Sequence, residues 1–195
     1  MKGVRNLIVV EVGIKLENDL AYYNKILTEN GLLNDFKVKT HDLYYTNKDL
    51  NGLSENQMKN ACIRLRSCND GDFDIQNKMD LHIFRSKVKK KKLLKFENKL
   101  EKHGYKKVFD TFKEDYHYFK DGMNSKVQLQ QVKDIGLLVY FDNNSYYDLP
   151  EEEQRKKLID ELNSYGFNIK YSDLDLDKLR TLYYKKEMFN NNQNS

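Results

Sequence analysis

From Leu7 to Leu16 (LIVVEVGIKL) apolar and polar positions alternate: Ile8, Val10, Val12, Ile14 and Leu16 fall on one side, Glu11, Gly13 and Lys15 on the other. A β-strand sends alternate side chains to opposite faces, so one face needs an apolar cover. The other either lines a charged cavity or lies on the surface of an edge strand. Helical spacing follows: Leu20, Tyr23, Ile26 and Leu27 recur on one side, with Asn18 or Asp19 as cap and Asn30-Gly31 as stop. Strand character returns over Phe36 to Thr46 and over Ala61 to Ser67, where Cys62, Arg64 and Arg66 oppose Ala61, Ile63 and Leu65. Turns are expected at Asn51-Gly52 and at Asn69 to Asp72, and a strand of poor alternation over Met79 to Lys87.

Val88 to His103 predicts a basic helix with the stripe Leu93, Phe96 and Leu100, closed by Gly104. Lys107 to Lys120 reads as a strand with Lys113, Asp115 and His117 on one face. A tight turn at Asp121-Gly122 leads into a strand over Lys126 to Gln130. Gly136 to Asp142 places Tyr140 and Asp142 opposite Leu137, Val139 and Phe141. Pro150 and three glutamates open a helix with Leu158, Leu162 and Tyr165 inward. Ser172 and Asp175 cap a last helix through Leu176, Leu179 and Tyr183, and 190–195 are expected to form a disordered tail.

This order predicts an α+β fold with a largely antiparallel sheet, in one domain over residues 1–189. A closed or cupped β-barrel with a polar interior and helices packed outside satisfies all the two-faced strands together. The formal charge of +4 over 195 residues is mild, so any anion binding has to come from local placement. Cys62, Cys68 and the scattered histidines form no zinc spacing, and no apolar run is long enough to span a membrane. A cytoplasmic protein with free thiols is the expectation.

With the polar faces turned into one cavity, its contents are Glu11, Lys15, Arg64, Arg66, Lys113 and Asp142. Cations in excess of carboxylates suit a multiply charged anion, because guanidinium forks match phosphate oxygens and an ammonium acts as a point charge. The acids left over are candidates for a divalent metal, which takes one or two carboxylates plus phosphate and water. Taken alone, Arg64 and Arg66 also fit a solvated strand face with cross-strand ion pairs. Asp42 and Tyr44 read as organisers of the sheet, and His117 as structural.

The motifs, in order, resemble the CYTH, or triphosphate tunnel metalloenzyme, superfamily, which includes class IV adenylyl cyclases and thiamine triphosphatases. Glu11-Val12-Gly13-Ile14-Lys15 matches its first-strand E-x-E-x-K except at Gly13, Asp42-Leu43-Tyr44-Tyr45 its D-x-Y-[FY], and Arg64-Leu65-Arg66 its R-x-R. Lys113 fits the lysine of its K-x-R, with Asp115 where the arginine is expected. In its paired-strand motif, Gln130 and Tyr140 replace carboxylates and only Asp142 keeps one.

The resemblance implies that Lys15, Arg64, Arg66 and Lys113 clamp phosphate and that Glu11 and Asp142 hold Mg²⁺ or Mn²⁺. It further implies turnover of a triphosphate-bearing small molecule such as ATP, thiamine triphosphate or tripolyphosphate, as a triphosphatase or class IV-type adenylate cyclase. The altered acidic positions keep a second reading open: a tunnel that binds nucleotide or polyphosphate without consuming it. The lysine run from Arg85 to Lys95 leaves a third, an RNA-binding module, although no aromatics are interleaved for base stacking.

Overall fold

The computed structural model describes residues 12–50, 57, 61–68, 73–77, 84–121, 125–133 and 135–171. Glu11, the turns expected at 51–52 and 69–72, Gly122, the last helix and the tail lie outside them. The strands are β1 (Val12–Lys15), β2 (Leu33–Thr46), β3 (Ile63–Cys68), β4 (Phe73–Asn77), β5 (Phe84–Val88), β6 (Lys106–Phe119), β7 (Ser125–Val132) and β8 (Gly136–Asn143). The helices are α1 (Leu20–Glu29), α2 (Lys90–Lys102) and α3 (Glu151–Ser164). The fold is α+β, with strand order β1-β8-β7-β6-β2-β3-β4-β5. That order is open among the described strands, and the pairs β1/β8, β7/β8, β2/β3, β3/β4 and β4/β5 are antiparallel.

The strand expected over 79–87 is seen from Phe84 onward as β5, residues 79–83 lying outside the described residues, and β4, which the reading of the chain did not place, pairs with it antiparallel. Phe73 and Ile75 alternate with polar neighbours, enough to form a strand, while the turn signal just ahead of them draws attention away.

The chain forms two compact units. Within the described residues the first comprises 12–37 and 115–171, the second 38–114. In the first, Val12, Ile14, Val127, Leu129, Val139 and Phe141 from β1, β7 and β8 pack with Tyr23 and Leu27 of α1 and Leu158 and Leu162 of α3. Burying each such aliphatic side chain is worth about 1.5–3 kcal/mol, which makes this face the main source of stability for the unit. In the second unit Tyr45, Ile63, Leu65 and Ile75 pack with Leu93 and Leu100 of α2.

The helices begin and end for local reasons. Asp19 caps α1, its carboxylate accepting from the Tyr22 amide at 2.9 Å. Gly104 ends α2 at φ +80°, a conformation costly for other residues, while the Tyr105 amide reaches back to the Leu100 carbonyl at 3.0 Å. In both units the sheet has one apolar face under helices and one face carrying the charged residues.

Candidate functional site

In the second unit the register sets Asp42 directly across from Arg66 and Tyr44 across from Arg64. Asp42 is fully buried, and Arg66 grips it with a fork, Nε to Oδ1 at 2.6 Å and Nη2 to Oδ2 at 2.7 Å. Lys113 Nζ donates to Oδ2 at 3.3 Å, and Arg64 Nη1 stands 3.9 Å from the same oxygen. Three cations expected from the sequence, Arg64, Arg66 and Lys113, thus converge on one carboxylate. Their side chains keep 14%, 22% and 14% of their surface exposed, enough for a ligand to reach them.

Burial alone would raise the Asp42 pKa. The Arg66 hydrogen bonds and the charges of Lys113, Arg66 and Arg64 outweigh it and hold the carboxyl at about 2. Asp42 is therefore an anion at any physiological pH and fixes the cations in place. The ladder rows continue from Arg64 to Gln76 and Arg85, and from Arg66 to Asp74 and Lys87. By register, Arg85 and Lys87 therefore lie on the same sheet face, as strand residues of β5.

The first unit carries a different arrangement around a second buried carboxylate. Asp115 Oδ1 accepts from Gln128 Nε2 at 2.8 Å and from Gln130 Nε2 at 2.6 Å. Beside it, His117 is buried with its ring stacked on Phe36 at 4.2 Å, and its Nδ1 has no hydrogen-bond partner among the described residues. Burial, then the charge of Lys126, lowers the His117 pKa against the opposing pull of Asp115 and Asp35.

Lys15 is exposed, and its stem lies close to Gly136, Cε standing 3.6 Å from where a Cβ would be. Lys15 lies across from Leu138, four residues along β8 from Asp142. That is about 13 Å of strand, so Lys15 and Asp142 do not meet as one cluster. Asp142 is half-buried and accepts from the Tyr147 hydroxyl at 3.3 Å.

The altered positions are not scattered. Gly13 and Tyr140, which stand where two carboxylates are expected, are direct register partners on β1 and β8. Asp115 and Gln130, the reversed base and the missing acid, are bonded to each other. Each change therefore has a matching change next to it: a small residue faces a large one, and an amide donor meets a carboxylate. Sequence reading saw four separate departures because these partners are distant in the chain.

Among the described residues no three His, Cys, Asp or Glu side chains group to hold a metal. Of the two expected metal ligands, Asp142 accepts from Tyr147 through Oδ2, and Glu11 lies outside the described residues. No described helix is long and apolar enough to cross a membrane.

No protein-family model and no curated protein sequence matches the chain. Solved structures do. A protein from Pyrococcus horikoshii aligns at 16% identity and TM-score 0.59, over 86% of this chain and 94% of its own. A candidate adenylate cyclase from Vibrio parahaemolyticus aligns at 12% identity and TM-score 0.57, over 87% and 98%. A second candidate adenylate cyclase, from Bacillus halodurans, aligns at 8% identity and TM-score 0.52, over 88% and 96%. The chain shares its fold with these structures, over most of its length and most of theirs.

Proposed function

We propose that the protein binds a triphosphate-bearing small molecule through Arg64, Arg66 and Lys113. The carrying observation is the convergence of these three side chains on the buried carboxylate of Asp42. Asp42 holds the donors in position before a ligand arrives, so little side-chain entropy is lost on binding. Guanidinium and ammonium groups together suit the oxygens of a phosphate chain. The fold, shared with candidate adenylate cyclases, agrees with a nucleotide or related ligand.

Binding without turnover is the favoured form. Three positions where relatives of this type are expected to carry acids are Gly13, Gln130 and Tyr140, and each is accommodated by a neighbour. The second reading is turnover by a triphosphatase or class IV-type cyclase, in which Glu11 and Asp142 hold Mg²⁺ or Mn²⁺ brought with the substrate. Asp142, which retains its carboxylate, favours it.

One calorimetric series separates the two. Tripolyphosphate, ATP and thiamine triphosphate are titrated with and without Mn²⁺, and each mixture is assayed for phosphate and cyclic nucleotide. The expected result is binding with no product at high protein concentration, weakened about 10–100-fold by Arg64→Ala, the worth of a charge-assisted hydrogen bond. Failure of every triphosphate to bind overturns the proposal, and Mn²⁺-dependent product establishes turnover.

A further inference from the structure

We propose that the exposed face of α2 binds the phosphate backbone of a nucleic-acid duplex. Lys89, the N-cap, and Lys90, Lys91, Lys92, Lys95, Lys99 and Lys102 are all exposed. The same stretch holds two acids, Glu97 and Glu101. Glu97 is engaged by the Tyr45 hydroxyl, and burial, then that hydrogen bond and the charges of both acids, raises the Tyr45 pKa. Seven lysines against two glutamates give this helix more net positive charge than the entire chain, whose formal charge is +4. Among the described residues none of the seven forms an ion pair.

The arrangement also works against the helix itself. No acid lies in its first turn and no side chain caps it, while lysines fill positions where the helix dipole disfavours positive charge. An anionic partner lying along the helix would reverse that cost.

The shape of the charge identifies the partner. The helix is about 20 Å long at 1.5 Å per residue, and a duplex presents one phosphate charge per about 1.7 Å of its axis. A membrane surface is a poorer match, because a helix that lies in lipid needs an apolar face to insert. Here Leu93 and Leu100 are buried in the core of their own unit, leaving Leu94 as the exposed large apolar residue of α2. Single strands are held by exposed aromatics, and the one aromatic of α2, Phe96, packs against that core.

The test uses the full chain, a 20-base-pair duplex, the matching single strand, and vesicles rich in anionic lipid, all followed by fluorescence anisotropy or sedimentation. Engagement of four to six lysines predicts that duplex affinity falls about 10²–10³-fold between 50 and 200 mM salt. The triple variant Lys90→Glu, Lys91→Glu, Lys92→Glu is expected to lose duplex binding by at least about 100-fold. It also puts acids in the first turn, where they stabilise the helix, so a thermal melt at or above the wild-type temperature excludes misfolding as the cause. Arg64→Ala is expected to leave duplex affinity unchanged, which separates this surface from the phosphate cluster on Asp42. Unchanged duplex affinity in the triple variant, tighter binding to the single strand, or binding to vesicles in place of duplex overturns the proposal.

Discussion

Two buried aspartates, one in each unit, are satisfied in opposite ways. Asp42 is surrounded by cations: a fork from Arg66, a bond from Lys113 and Arg64 close by. Asp115 receives two neutral amides on one oxygen. The difference teaches where the molecule concentrates positive charge. Around Asp42 stand guanidinium and ammonium groups of the kind that suit phosphate oxygens, while around Asp115 the donors are uncharged amides. A buried carboxylate held by cations depends on its charge, whereas one held only by amides gains little from it.

The largest expected effect is the same substitution made at both sites. Asp42→Asn breaks a buried ion cluster and is expected to cost about 3–5 kcal/mol. Asp115→Asn keeps an acceptor oxygen while removing a buried charge, and is expected to change stability by no more than about 1 kcal/mol. Urea denaturation of the two variants decides the matter, and equal losses would erase the distinction.

Acid provides a second contrast. The folded pKa of Asp42, about 2, lies below the ordinary carboxylate value of 3.8, so its contribution is present above about pH 4 and is lost as pH falls toward 2. His117 also has a lowered pKa, so the unfolded chain takes up a proton first, and stability declines once pH drops below the ordinary imidazole value of 6.5. Hydrogen exchange followed by segment is expected to show 115–171 losing protection at milder acidity than 38–114.

A third effect is smaller. Gln130→Asp puts a second carboxylate beside Asp115, with an expected cost of about 1–2 kcal/mol at pH 7 from like-charge repulsion. A thermal shift relieved by Mn²⁺ would show that restoring one acid is enough to recruit a metal, and no relief would leave the loss complete.

Much of this was legible in the chain. The alternation of Ile63, Leu65, Arg64 and Arg66, and the Asp42-Leu43-Tyr44-Tyr45 motif, give a charged face and its organiser, and β3 and β2 place them in register. Local signals also set Asp19 at the start of α1 and Gly104 at the end of α2. What was not legible depends on pairing between distant strands. Gln130 reads as a lost acid until β7 brings it, with Gln128, to Asp115, and Gly13 reads as another until β8 sets Tyr140 opposite. No periodicity within one strand encodes its partner across the ladder.

The way the chain threads the units bears on how it is made. The described residues of the second unit all fall between 38 and 114, whereas those of the first come from segments on either side of them. On the ribosome β1 and α1 emerge before those residues, yet they wait through all of them for β7, β8 and α3, which complete their core. The entropy of closing so long a loop grows only logarithmically, so the delay costs little stability but exposes Val12 and Ile14 to wrong partners in the interval.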